Sequence, residues 1–494
     1  MALPPAAAAA AALLAAAATL LVNVSAPRVT TDPAFLGVNI DSASLTNRID
    51  LGDPVLTALA AQLAGAAPAP APRMHLRVGG SASNGLVYVP GGSPGRAPAG
   101  GGTVVTDASL GALDAFAAAA GLQVTFCLQY QTTAGRFDPA INASALFRMI
   151  TRRGLRSFAG FSLGNEIIGK QGFDVAQYAL DYETFRAAVA ADAPAWAQSV
   201  VGPSAAGWPG TPPMATFLAA TAHIPNMSLS IHAYSFGNCS LEVYMSKAGI
   251  ERMAYYYASF VSARDAYAPS MPVYLEEMAT QAGGGCEGLS NRFVSGFWFV
   301  HALGLAAEMG VSRVTRQDLA GWSFTSGVSH YTLAGPPGWE SSARDGVPLP
   351  HPDWFVAVLW RQLVGSRVLG TALSAPPDVN ATLAVHAFCT AGAAAQQAVT
   401  LAFVNLAAAP VALALAGGLA AAPRVEFVLT APSGNLTADA LLLNGEVLAV
   451  DPSGRLAAQP VPGLTVPAGG IELPAQSYGF IVLSAAAAPA CASQ

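Results

Sequence analysis

The first two-thirds of this 494-residue chain repeats one pattern eight times: a short, nearly all-apolar run, then a longer alanine-rich stretch. The runs are Phe35–Asp41, His75–Gly80, Gln123–Tyr130, Gly160–Glu166, Ser199–Ser204, Leu229–Ser235, Pro272–Met278 and Val314–Leu319. Runs this short and apolar nearly throughout read as strands covered on both faces, which parallel sheets require. The stretches between them, such as Leu110–Ala120 and Val294–Met309, have helix-compatible periodicity. Eight strands alternating with helices predict an α/β fold, a closed (β/α)8 TIM barrel over residues 35–369. Asp41, Glu166, His232, Tyr234, Glu277 and Gln317 all fall towards the C-terminal ends of their runs. That end of such a barrel carries the active site, and a buried strand that finishes in a carboxylate needs a reason to bear its desolvation.

Past about Gly370 the texture changes to short alternating runs with Gly and Pro between them, including Thr382–Phe388, Ala398–Leu406 and Tyr478–Leu483. This predicts a C-terminal antiparallel β-sandwich over residues 370–494. At the other end, Met1-Ala-Leu-Pro-Pro opens an alanine- and leucine-rich run to Val22. Residues 1–22 read as a signal peptide, although the positive n-region is missing. A low-complexity tail and a weak anchor are the bland alternatives. No second apolar segment is long enough to span a bilayer, so no stable membrane span is expected.

Hydrophobic residues make up 53% of the chain and charged ones 11%, with net charge −6 and only two lysines, Lys170 and Lys247. A chain this poor in cations lacks the basic face that phosphate backbones need, which argues against nucleic acid as a partner. Six Asn-x-Ser/Thr sequons, at Asn23, Asn142, Asn226, Asn238, Asn380 and Asn435, fit a secretory route. The last five are the expected glycosylation sites. Five cysteines with no CxxC pair make a metal site improbable and suit two bridges with one buried thiol. Cys127, inside an apolar run, is the expected free one. Cys239 and Cys286 follow the sixth and seventh strands, and their pairing is left open.

Two carboxyl groups across one cleft are what glycoside hydrolysis needs. Glu166 closes Ser162-Leu163-Gly164-Asn165-Glu166, with an asparagine placed to bond a sugar hydroxyl; the bland alternative is an N-cap for the next helix. The second carboxylate is Glu276 or Glu277. Neighbours on a strand point to opposite faces, so only one is expected to enter the barrel mouth. His232 and Tyr234, two apart, share a face and could orient the nucleophile. The triplet Gly283-Gly284-Gly285 offers bare backbone amides to an anion, or is simply a turn.

These residues resemble the heparanase family of glycoside hydrolases (family 79), over roughly Val22 to Cys491. The segment PVYLEEMATQAGGG is similar to the family's nucleophile strand, in which a glutamate precedes three glycines by six positions; this places the nucleophile at Glu277. SLGNE resembles the acid/base motif and implies that role for Glu166, with Asn165 beside it. LSIHAYS is similar to the His-x-Tyr strand, and GVNID and HLRVGGS to the strands whose Asp41 and Ser81 line the cleft, Ser81 standing where mammalian heparanase has threonine. MGVSRVTRQ and SHYTL resemble the eighth strand and its loop. The resemblance implies that Tyr331, Gly283 and Gly284 hold a uronic acid carboxylate, that Cys389 pairs with Cys491, and that a strand within 23–34 joins the sandwich.

The activity so implied is retaining hydrolysis of β-linked glucuronides by a monomer without metal or organic cofactor, in a secreted, lysosomal or vacuole-like compartment. The linker excised from heparanase has no counterpart here, so a single-chain form is expected. The basic clusters that grip sulfate are also missing, which argues against heparan sulfate. Two other readings stand beside this one: a barrel glycosidase for a neutral xyloside, arabinoside or glucoside, and a non-catalytic carbohydrate-binding protein.

Overall fold

A computed structural model describes residues 16–46, 49–68, 73–91, 103–141, 143–196, 199–321, 329–335, 348–392, 397–419, 423–484 and 486–492. After an N-terminal strand, β1 (Ala16–Thr30), come eight βα units. Their strands are β2 (Leu36–Asp41), β3 (Met74–Gly79), β4 (Leu122–Leu128), β5 (Phe158–Leu163), β6 (Val200–Ala206), β7 (Met227–Tyr234), β8 (Val273–Ala279) and β9 (Arg313–Arg316). Each pairs in parallel with the next, and β9 pairs with β2 to close the barrel. The helices that follow them are α1 (Pro54–Gly65), α2 (Asp107–Ala120), α3 (Ala143–Arg153), α4 (Val175–Asp192), α5 (Thr211–Thr221), α6 (Met253–Tyr267), α7 (Ser295–Glu308) and α8 (Pro352–Leu363).

Local chemistry sets the helix ends. Asp53 accepts hydrogen bonds from the Val55 and Leu56 amides just ahead of α1, with Pro54 pre-set for the first turn. Thr106 and Ser109 form a capping box on α2, and Gly121 at φ 71° ends it. The barrel thus matches the expected architecture strand for strand.

The second body is one curled, mostly antiparallel sheet. It contains β10 (Val364–Ser374), β11 (Leu383–Thr390), β12 (Val399–Asn405), β13 (Val411–Leu415), β14 (Arg424–Thr430), β15 (Ile471–Leu473) and β16 (Ser477–Leu483). These run in the order β14-β16-β12-β11-β10-β1-β13-β15, with β1 and β13 parallel. Strand alternation divides β11 and β12 between two cores. Val385, Ala387, Leu401 and Phe403 face the sandwich interior, whereas Ala384, Phe388, Ala402 and Val404 join the barrel core. Cys389 and Cys491 form the implied disulfide, Cα–Cα 5.3 Å.

Two boundaries differ from expectation. The sheet takes up the chain at Val364 rather than 370, because β10 continues directly from α8. At the N-terminus, β1 begins at Ala16, inside the segment read as a leader ending at Val22. Ala18, Leu20 and Val22 point into the sandwich core while Ala17, Leu21 and Asn23 are exposed. Removal up to Val22 would strip three core side chains from this sheet; residues 1–15 lie outside the described residues. Of the five expected glycosylation sites, Asn226, Asn238, Asn380 and Asn435 are exposed, and Asn142 lies outside the described residues.

Leu20 is fully buried between β10 and β13. Leu20→Ala should therefore cost about 2–5 kcal/mol of sandwich stability, seen as a lowered Tm, whereas Leu21→Ala, at an exposed position, leaves Tm within a degree or so (surface changes are worth roughly ±0.5 kcal/mol). Equal shifts for the two variants would refute the placement of β1.

Candidate active site

Arg77, in the middle of strand β3 and 1% exposed, is the hub of the barrel mouth. Its Nη1 donates to Glu277 Oε1 at 2.5 Å and its Nη2 to Asn165 Oδ1 at 2.7 Å. From β7, the Tyr234 hydroxyl donates to Glu277 Oε2 at 2.6 Å. His232 Nδ1 lies 2.8 Å from Glu166 Oε1 and 3.6 Å from Glu277 Oε2. Glu166, His232 and Glu277 thus present donor atoms that all lie within 4.8 Å of one another.

Glu166 does not cap a helix. The next one, α4, is capped by Asp174, which accepts from the Gln177 amide. Glu166 instead sits in a turn after β5, at φ 55°, a left-handed conformation that costs a non-glycine residue of the order of 1 kcal/mol or more. The preceding turn is held by Asn84. Its side chain donates to the Asn165 carbonyl at 2.7 Å and accepts from the Asn165 amide at 2.9 Å.

Glu276 and Glu277 do not part to opposite faces. The register of β8 against β7 runs Ile231↔Leu275, then His232↔Glu277, leaving Glu276 as the extra residue of a β-bulge. A bulge re-aims side chains, and both carboxylates reach Arg77: Glu276 Oε2 lies 3.5 Å from its Nε. Asn39 of β2 fastens the bulge by donating to the Glu276 carbonyl at 3.1 Å.

Charge is distributed unevenly over the buried acids. Burial alone would raise the Glu277 carboxyl, but the charges of His232 and Arg77 and the hydrogen bonds from Tyr234 and Arg77 outweigh it, holding Glu277 below the usual range. Asp41 has no such donor pair. Burial pushes it up to about 8, and although the Ala43 amide opposes that push, Glu277 and Asp318 add to it. Burial likewise pushes Asp318 up to about 7, against the pull of Arg316. Tyr234 and Tyr331 are both raised well above the ordinary phenol value, chiefly by burial.

The glycine loop lies against Tyr331. A side chain at Gly285 would press on the Tyr331 ring at 3.1 Å, and the Gly284 carbonyl accepts from the His330 amide at 2.6 Å. Gly283 and Gly284 hold φ 75° and 110°, open to glycine with little strain. The disulfide Cys239–Cys286, Cα–Cα 5.5 Å, ties this loop to the end of β7 and settles the open pairing; Cys127 is the free, buried thiol. Gln317 is buried just past β9. Ser81 opens a helical turn after β3 and is exposed; among the described residues no hydrogen bond joins it to the two glutamates.

Glu166, His232 and Glu277 are, among the described residues, the group whose donor atoms could reach a metal ion. Those atoms are already engaged with Arg77, Tyr234 and one another, and a cation there would meet the guanidinium charge.

No protein-family model matches the chain. Among curated proteins, baicalin-beta-D-glucuronidase of Scutellaria baicalensis is 31% identical over 183 residues, covering 36% of this chain and 30% of that protein. Heparanase of Mus musculus is 32% identical over 230 residues, 45% of this chain and 39% of that protein. The chain is similar to both over part of its length. The matched segments span less than half of either relative's length. In fold it is similar over 94% of its length to the whole of a 4-O-alpha-L-rhamnosyl-beta-D-glucuronidase from Fusarium oxysporum, TM-score 0.67 at 17% identity.

Arg77 and Asn84 of this site escaped the sequence reading. Arg77 is the one arginine in a strand that is apolar apart from it and His75, an arrangement that already signals a buried anion partner. Asn84 carries no comparable signal, since an asparagine in a Ser-Asn-Gly turn is unremarkable.

The raised acids set a pH dependence. An unfolded Asp titrates near ~3.9. The stability that Asp41 and Asp318 contribute by staying protonated is full below that value and is lost as pH rises through about 7 and about 8. Tm should therefore fall from mildly acidic to mildly alkaline buffer, and Asp41→Asn should flatten that fall. A variant with the wild-type slope across this window would refute the assignment.

Proposed function

We propose that the chain is a retaining β-glucuronidase. The observation that carries this reading is the carboxylate spacing: oxygens of Glu166 and Glu277 approach within 4.8 Å. Retaining glycosidases hold their two carboxyl groups about 5–5.5 Å apart, inverting ones roughly 6.5–9.5 Å, to admit a water.

In the first step Glu277 attacks the anomeric carbon, forming a glycosyl ester as the glycosidic C–O bond breaks. The departing oxygen takes the proton of Glu166. In the second step Glu166 removes a proton from water, whose oxygen attacks the same carbon. The ester bond breaks and Glu277 regains its charge. His232 bridges the pair, and Tyr234 and Arg77 keep Glu277 ionised and aimed. Asn165, held by Asn84 and Arg77, is offered to the sugar 2-hydroxyl, a contact that strengthens in the transition state.

The glucuronide preference rests on the relatives and on the glycine loop. The backbone amides of Gly283 and Gly284, with the Tyr331 hydroxyl, suit a sugar carboxylate at the edge of the cleft. The relatives are named baicalin-beta-D-glucuronidase and heparanase, and the net charge of −6 favours an unsulfated substrate. Two disulfides suit an oxidising, secreted or vacuole-like compartment. Among the described residues no helix is long and apolar enough to cross a membrane.

Glu277→Ala should lower kcat on nitrophenyl β-glucuronide on the order of 10⁴-fold or more, and azide should restore turnover with an inverted glucuronyl azide as product. Near-normal activity in Glu277→Ala would refute the nucleophile assignment. Faster hydrolysis of the nitrophenyl xyloside, arabinoside or glucoside by wild type would replace glucuronide with a neutral sugar. Failure of wild type to cleave any of them would favour the binding-protein reading.

A further inference from the structure

The double-displacement reading uses Glu277 and Glu166 and leaves Glu276 without a task. Yet Glu276 is 4% exposed, and an anion that deep in a barrel is costly to hold. Its Oε2 and the Arg77 Nε face each other at 3.5 Å. Both atoms are buried and neither has a hydrogen-bond partner among the described residues. The guanidinium therefore has two distinct edges. The Nη edge serves Glu277 and Asn165, and the Nε edge is turned to Glu276. The bulge makes this possible, since a regular β8 would send Glu276 to the face opposite Glu277.

Covalent catalysis changes the charge around Arg77 in mid-cycle. While Glu277 is free, two carboxylates share one guanidinium. Once Glu277 has bonded to the anomeric carbon it is a neutral ester, and a fully buried cation would have lost its principal counterion. Glu276 does not react and keeps its place beside the Nε edge. We propose that Glu276 is a positioning residue that keeps Arg77 charge-paired through the glycosyl-enzyme stage. In the free enzyme it also draws the guanidinium charge partly off Glu277, leaving that carboxylate the stronger nucleophile. This rests on the double-displacement reading above.

The two steps should then respond in opposite directions to loss of the Glu276 charge. Without it, Arg77 belongs wholly to Glu277. Attack by Glu277 slows, and its departure from the ester quickens. In Glu276→Gln, kcat/KM for an activated aryl glucuronide, which reports the first step, should fall about tenfold, the size of one pKa unit at the nucleophile. The rate at which the 2-fluoroglucuronyl-enzyme hydrolyses, which reports the second step, should rise by a similar factor. Glu276→Asp, which keeps the charge but withdraws it by one methylene, should move both rates the same ways by about threefold. This milder variant serves as the test if Glu276→Gln does not fold. Two unchanged rates, or two rates that fall together as in a generally loosened site, overturn the proposal. A wild type that is never labelled by the fluoroglucuronide overturns the double-displacement reading itself and this proposal with it. A wild type labelled on Glu277, with variants that match it, overturns the role of Glu276 alone.

Discussion

A guanidinium taken wholly out of water is the constraint from which the barrel mouth follows. Arg77 is 1% exposed, and the desolvation of such a cation amounts to several kcal/mol unless anions and acceptors meet it at good geometry. No single strand can supply them. Glu277 and Glu276 come from β8 and Asn165 from the turn after β5, so satisfying one side chain ties three parts of the barrel to a common point. The nucleophile candidate is fixed as a by-product. With one oxygen on Arg77 and the other on Tyr234, its carboxylate plane has little freedom left, the kind of preorganisation that a reacting group needs.

The same cation sorts the acids around it. Glu277, which accepts from Arg77 and Tyr234, is held low. Asp41 and Asp318 are equally buried but lack a share of that fork, and desolvation drives them towards the protonated form. Side by side, one acid is held towards the anion and two towards the neutral form, and only their environments differ. Ionised together, Asp41 and Asp318 would each repel Glu277, so their protonation also relieves it. This arrangement is suited to mildly acidic surroundings, where Glu277 is already ionised and the aspartates still carry their protons.

How far this was legible in the residues depends on the scale of the signal. Strands covered on both faces show up as apolar runs, and all eight were readable together with the polar residues at their ends. The division of β11 and β12 between two cores follows from alternation and is equally visible. What stayed hidden is local and geometric. A one-residue bulge changes the facing of Glu276 without any mark in composition. Strand β1 hid for a different reason: alanine counts as apolar on both faces, so the alternation of Ala18, Leu20 and Val22 against their exposed neighbours blurs into a leader-like run. Arg77 was readable in principle, since an arginine inside a mostly apolar strand asks for buried anions and acceptors.

The sandwich is more than an appendage, because of where it docks. Helix α7 is the next long helix after the β8 strand that carries Glu277, joined to it through the glycine loop, and it packs on β11, β12 and β16. A side chain added at Gly296 or Gly304 would run into Tyr478 or the His386 ring, so the helix approaches the sheet as closely as glycine permits. The contact is also polar and specific: the Tyr478 hydroxyl donates to the Phe293 carbonyl at 3.0 Å, and the rings of His301 and His386 are hydrogen-bonded at 3.0 Å. These contacts fix the helix against the sheet. The sheet that β1 joins thus backs the barrel side from which the Glu277 strand comes, a structural role for a second domain that, among the described residues, contributes no side chain to the carboxylate cluster.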